Sequence, residues 1–426
     1  MEISPEAHSL LLAAADHNLL LLRSLLKSQT PNVQEPSTLR TPLHLAIASF
    51  ESNPVQSTHT NGNGTSAEDE KDELSLPPLT KATKTLELLL QNGAIWNSLD
   101  TNNETPACIA YRLGLTPLYE VMVDAGVRAE LLFGRLEGYM ALDDDDDDDY
   151  EDEELEEGDV IDISVEAQGE KDEEEAPELV STTEQTALEK AEEEAIPVTS
   201  DVYLSSTLSI DDERILDEDK NGVMMSWESH IMSLTVSNLL PASSENTGPK
   251  ILNIGYGMGI IDSYFQSSTP PPSSHHIIEA HPQILQVLSN SPISKVPGVT
   301  IHAGRWQEVL PKLINDGDVT FDAIYFDTFA EDYSQLKLFF TEYVIALLNP
   351  EGRFSFFNGL GADRQIAYDV YKKVVDIDLL EAGLETEWIA VDVDSKKMEG
   401  DGEWKGVRRK YWDLEKYWLP VSRFIG

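Results

Sequence analysis

The sequence predicts an α/β, Rossmann-like C-terminal domain, preceded by an all-α repeat module and joined to it by an acidic linker. Three observations carry this. A glycine-rich loop, Gly255-Tyr256-Gly257-Met258-Gly259, stands between an apolar run and a helical pattern, the arrangement of a ligand-binding crossover. A six-residue motif at residues 41–46 returns in weaker form at 105–110. Between these zones, residues 143–149 are an unbroken run of aspartates.

At 426 residues the chain suggests more than one domain. We divide it into 1–140, 141–200 and 201–426. The formal net charge of −48 argues against nucleic acid or an anionic membrane as a partner through the bulk field. Cys108 is the only cysteine, so no intrachain disulfide forms, as in a reducing compartment. The N-terminus has no basic leader, and the apolar run at 10–22 is broken by Asp16, His17 and Asn18, too short and polar to span a bilayer. A soluble, monomeric, cytoplasmic protein is expected, with nuclear entry left open. No metal is expected.

Thr41-Pro42-Leu43-His44-Leu45-Ala46 is the ankyrin signature, and Thr105-Pro106-Ala107-Cys108-Ile109-Ala110 is its weaker copy. Residues 88–94 resemble the end of an ankyrin second helix with its turn. The two motifs are 64 residues apart (105 − 41), against a period of about 33. The surplus matches a Ser/Thr/Asn/Gly-rich stretch at about 52–79, read as a disordered insertion between the helices of one repeat. Ala13, Ala14, Ala15, Leu21, Leu22, Leu25 and Leu26 suit a degenerate capping unit upstream; Leu118, Val121, Met122 and Val123 before Gly126 suggest a further unit. His44 reads as a residue that pins the first helix, and Cys108 as a buried small residue. Such a module offers a surface for a protein partner.

The acidic linker has almost no aromatics and cannot bury enough apolar surface to order itself. It spaces the domains or attracts a basic substrate protein.

From Lys250 the pattern alternates. Strands are expected at 251–254, 276–279, 299–302, 321–327 and 353–357, with helices near Leu285, over 336–348 and over 365–375. This is a doubly wound sheet, with ligands beyond the carboxyl ends of its strands. Glu279, 20 residues after Gly259 (279 − 259), is placed to accept the hydroxyls of a ribose. Ile260 stands where a dinucleotide loop continues, and no pyrophosphate site is evident. That favours S-adenosylmethionine over a nicotinamide cofactor.

Four stretches are similar to guanidinoacetate N-methyltransferase: 223–228 through Met232, 252–258, Gly304-Arg305-Trp306-Gln307, and 321–328. With the ankyrin region and acidic linker in front, the arrangement resembles the fungal protein arginine N5-methyltransferases (type IV). The resemblance implies cofactor contacts from Tyr203, Met224, Met232, Leu252, Asn253, Ile254, Gly255, Tyr256, Gly257, Glu279, Ala280, His281, Trp306, Gln307 and Asp327. It implies Glu228 and Asp327 as the catalytic pair that holds a guanidine. Tyr203 replaces the family's tryptophan, and the threonine that holds the small substrate's carboxylate is missing at Asn358-Gly359-Leu360. The implied substrate is an arginine in a basic protein of the large ribosomal subunit. On their own, Glu228 reads as a surface acid and the methionines as core.

The chemistry suits two carboxylates. Arginine stays protonated, with a pKa of about 13.8, and a sulfonium cofactor is also positive. Paired carboxylates offset both charges, grip the guanidinium fork, and one can take a proton. The alternatives are a small-molecule guanidino methyltransferase and a non-enzymatic ankyrin scaffold with an inactive methyltransferase fold. A chain starting near Ser200 is expected to bind cofactor and methylate a short arginine substrate weakly but to lose activity on the native protein, the repeats serving recruitment.

Overall fold

Prolines and small hydroxyl residues start the first helices. In α1 (Pro5–Ala15), α3 (Pro42–Ala48) and α5 (Pro106–Arg112) a proline occupies the first turn, where no N–H is needed. The Ser4 and Thr105 hydroxyls accept from Ala7 and Cys108 N–H at 3.1 and 3.2 Å. With α2 (Leu19–Leu25), α4 (Pro78–Gln91) and α6 (Thr116–Met140) they form the N-terminal helical region. His44 is fully buried: its Nδ1 accepts from the Thr41 N–H at 3.1 Å and its Nε2 lies 3.0 Å from the Glu104 carbonyl. One imidazole thus ties the first motif to the second, a structural part.

The computed structural model describes residues 3–51, 76–140, 199–240, 248–315, 317, 319–398 and 402–426. The linker, apart from 199–200, and most of the expected insertion lie outside the described residues. Among them no helix is long and apolar enough to cross a membrane.

Gly126 does not end its helix. α6 runs through it, and the bare position is one the packing requires: a Cβ there would lie 2.6 Å from Val370 Cγ2 and 3.3 Å from the Trp96 ring.

The C-terminal half opens with α7 (Ser200–Ser205) and a small antiparallel sheet, β1 (Ser209–Ile210), β2 (Arg214–Leu216) and β3 (Gly222–Met225). A 3-10 turn, Ser226–Glu228, leads into α8 (Ser229–Leu239). The alternation then runs β4 (Lys250–Ile254), α9 (Ile260–Gln266), β5 (Ser274–Glu279), α10 (Pro282–Asn290), β6 (Val299–Ala303), α11 (Trp306–Asn315) and β7 (Phe321–Phe326). α12 (Tyr333–Leu338) continues through a π turn at Phe339–Val344 to Leu347; β8 (Leu348–Phe356), α13 (Gln365–Glu381), β9 (Leu384–Asp392), α14 (Ser395–Met398) and β10 (Lys416–Phe424) complete it.

The seven strands stand in the order β6-β5-β4-β7-β8-β10-β9. The first five are parallel, and β10 runs antiparallel to both neighbours. This mixed sheet, with its order reversing at β4, is the Rossmann-like methyltransferase fold. The reversal opens a crevice where β4 and β7 end.

The two halves share a core. Ile366, Val370 and Val374 of α13 are buried in one cluster with Leu118 and Met122 of α6. Around it, Tyr119 O–H donates to Asp369 at 2.6 Å, Tyr371 O–H to Glu130 at 3.1 Å, and Lys373 pairs with Asp124 at 3.0 Å.

Candidate active site

Two clefts meet at the ends of β4 and β7, with Asp327 on the wall between them. The first is built on the glycine loop. Gly255 and Gly257 have φ of +88° and +54°, a left-handed region that glycine enters without strain. A Cβ on Gly255 would lie 1.9 Å from the Asp327 carbonyl, and one on Gly257 2.4 Å from Met224 Sδ. The loop must therefore be bare to fit between β7 and β3.

Glu279 ends β5 and is buried. Its carboxylate accepts N–H groups from Tyr256 at 2.9 Å, Ala280 at 2.8 Å and His281 at 2.7 Å. Burial raises its pKa, and these donors oppose the rise. The acid thus braces the loop as well as facing the cleft. Tyr203 closes the side, its ring 4.9 Å from His281 and 4.9 Å from Phe329. Trp306 Nε1 and Gln307 Nε2 donate to Glu331 at 3.1 and 3.0 Å, and Thr328 donates to it at 2.7 Å. Gln307 Oε1 is buried without a partner among the described residues.

Of the residues the resemblance implied for the cofactor, Tyr203, Met224, Met232, Ile254, Gly255, Tyr256, Gly257, Glu279, Ala280, Trp306, Gln307 and Asp327 line this cleft. Leu252, Asn253 and His281 do not. Leu252 is core; Asn253 donates to the Gly255 carbonyl at 2.9 Å and to Asp262 at 2.9 Å, behind the loop. His281 gives its N–H to Glu279 and its ring to Tyr203.

The second cleft holds Glu228 and Asp327. Glu228 is 2 % exposed, not a surface acid. Its Oε1 accepts from the Met225 N–H at 3.0 Å and from the Tyr411 hydroxyl. Burial pushes the pKa of Glu228 up, and the Asp327 charge adds to this. Asp327 is raised as well, first by burial and then by the charge of Glu279. The charged residues lining this cleft are Glu228, Asp327, Glu331 and Asp332; no Lys, Arg or His lines it among the described residues. The buried Glu228 and the partly buried Asp327 thus face a space to which the described residues supply no cation.

The family model described as guanidinoacetate N-methyltransferase matches residues 210–407. A protein arginine N-methyltransferase 2 of Aspergillus fumigatus is 49 % identical, covering 98 % of this chain and 96 % of that one. The Aspergillus oryzae protein of the same name is 46 % identical over 100 % and 98 %, and the Neurospora crassa protein 46 % over 99 % and 96 %. The chain belongs to the fungal protein arginine N-methyltransferase 2 family.

The cofactor is S-adenosylmethionine. The first cleft fits it: Tyr203, Met224, Met232 and Tyr256 give it an apolar wall, Glu279 and Asp327 reach it from the ends of β5 and β7, and Gln307 offers an unpaired carbonyl.

Sequence reasoning missed Tyr411, Glu331 and Phe329. Tyr411 is 183 positions from Glu228 in a segment without regular structure, and no spacing rule relates the two. Glu331 follows Asp327 and Thr328 closely and was within reach as a further acid beyond the end of β7.

Proposed function

We propose that this chain methylates the δ-nitrogen (N5) of an arginine side chain in another protein, a basic protein of the large ribosomal subunit. The observation that carries the reading is the pair of carboxyls, the buried Glu228 and the partly buried Asp327, in a cleft that no Lys, Arg or His of the described residues lines. A guanidinium supplies the missing charge and matches two carboxylates with its fork. S-adenosylmethionine supplies the methyl group, carried on a sulfonium. Glu228 and Asp327 hold the two terminal nitrogens, which leaves the internal nitrogen facing the first cleft. One carboxylate takes the proton that this nitrogen gives up. The names of the relatives support arginine as the substrate. Among the described residues no Lys, Arg or His lines the second cleft to pair with the carboxylate of a small guanidino acid. We read the N-terminal helices as ankyrin-type repeats that present the substrate protein, residues 141–200 as a linker and 201–426 as the catalytic domain.

The test is the product. Fragmentation spectra of a methylated arginine substrate should place the methyl on the internal nitrogen, and guanidinoacetate should be turned over poorly beside it. A terminally methylated product, or preferred turnover of guanidinoacetate, overturns the reading.

The cofactor cleft has its own expected outcome. Gly257→Val puts a branched side chain at a φ of +54° and against Met224 Sδ. A loop that relaxes from this conformation when empty must be returned to it on binding, at a cost of about 1–2 kcal/mol, so affinity for S-adenosylmethionine should fall by about tenfold or more in calorimetry. Unchanged affinity would mean that the loop does not hold the cofactor.

A further inference from the structure

Tyr411 is not explained by the fold alone. It is partly buried, lines the substrate cleft, and points its hydroxyl at the Glu228 carboxylate. Its ring is held on several sides: stacked on Trp227 at 6.1 Å and 26°, edge-on to Trp404 at 5.1 Å, and against Phe357 at 6.4 Å. The backbone just before it is pinned to the turn ahead of β3. Gly222 N–H donates to the Arg409 carbonyl at 3.1 Å, and Arg408 N–H to the Lys220 carbonyl at 2.8 Å. Met224, on the cofactor wall, is two residues past Gly222. One short segment thus reaches the substrate carboxylate and braces the strand beside the cofactor.

The same oxygen of Glu228, Oε1, accepts both the Tyr411 O–H and the Met225 N–H. A carboxylate whose Oε1 is held by two donors has a fixed plane, and Oε2 is left to meet the substrate. A free carboxylate would rotate and spread its charge over several orientations. We propose that Tyr411 is a positioning residue for methyl transfer, its hydroxyl fixing Glu228 so that one carboxylate oxygen is presented to the guanidinium. This rests on the reaction proposed above.

The hydroxyl also acts on protonation. Glu228 must be ionised to hold a guanidinium. Burial and the Asp327 charge favour its protonated form, while the Tyr411 and Met225 donors favour the charged one. The titratable groups facing Glu228 are Asp327 after β7, Glu403 and Tyr411 in the C-terminal segment, Tyr325 on β7 and Tyr417 on β10. Among these, Tyr411 is the side chain that donates to it. Removing the donor raises the Glu228 pKa, so more of the enzyme is protonated and inactive at a given pH.

Tyr411→Phe keeps the ring stack and deletes the hydroxyl. In the full-length protein, kcat on an arginine peptide should fall about ten- to a hundredfold, the worth of a hydrogen bond to a charged group. The acid limb of the pH–kcat/KM profile should move to higher pH. Affinity for S-adenosylmethionine should stay within about twofold, since the hydroxyl does not line the first cleft. An acid limb that stays in place overturns the proposal, and so does a fall in kcat matched by lost cofactor affinity and a lower melting temperature, the pattern of a packing role. If the wild-type enzyme methylates no arginine at all, the reaction falls and this inference with it; if it does and the limb is unmoved, Tyr411 alone is wrong.

Discussion

Asp327→Asn and Glu228→Gln should each remove most of the turnover while S-adenosylmethionine still binds. Each amide keeps the size of the acid but turns an acceptor pair into a donor and an acceptor. A guanidinium gripped in a buried site then faces one neutral arm. Breaking a buried charge pair in this way costs about 3–5 kcal/mol, on the order of a hundred- to a few-thousandfold in rate if felt in the transition state. The two losses should not add, because both residues hold one rigid fork. Single-turnover rates on the same peptide, with cofactor affinity measured in parallel, give the comparison. Near-normal turnover in either variant would remove the carboxylate pair from the mechanism.

The same substitutions should stabilise the empty enzyme. Both carboxyls have their pKa raised in the folded state, so between the ordinary carboxylate value, about 4, and the raised one the folded chain binds more protons than the unfolded chain. Stability therefore falls as pH rises through that window. Replacing either acid by its amide removes the penalty, and the melting temperature at neutral pH should rise above wild type. A higher melting point with lost turnover is what a site built for a missing cation predicts, and an acid that merely supported the fold would give the opposite sign.

The parts of this site that could be read from sequence are those fixed by local geometry. The glycine loop was legible because Gly255 and Gly257 occupy backbone conformations that a side chain would strain. Asp327 was legible from its place after β7. Glu228 was not: its 3-10 turn looks like an exposed helix start, and it became a site residue through the resemblance. Its burial depends on Tyr411 and Trp227, and so on a segment near the other end of the chain. The antiparallel β9–β10 pair was also hidden. Glu385 and Glu387 interrupt β9, and Pro420 sits inside β10, a residue that ordinarily argues against a strand within a sheet. Here β10 and β8 share a register pair at Ser422 and Phe354, and Pro420 opposes Trp388 of β9.

The N-terminal helices show the largest gap between what the sequence suggested and what the packing requires. Their motifs pointed to recruitment, with a catalytic half able to stand alone. In the structure Ile366, Val370 and Val374 of α13 lie in the same core as Leu118 and Met122, and the far side of α13 packs on the sheet beside β9. A fragment starting near Ser200 leaves these three aliphatic side chains in water. At about 1.5–3 kcal/mol each, the loss is comparable to the whole stability of a typical domain, about 5–15 kcal/mol. The Tyr119–Asp369 and Lys373–Asp124 contacts go with it. The fragment should therefore melt far below the full-length protein or fail to fold, and turnover should weaken because the connection from β8 to α13 lines the second cleft with Phe357, Gly359 and Leu360. Adding residues 1–140 in trans should recover part of both. Thermal melting and amide exchange across α13 provide the measurement. A fragment with the full-length melting temperature would show that the shared core contributes little, and would return the helices to recruitment alone.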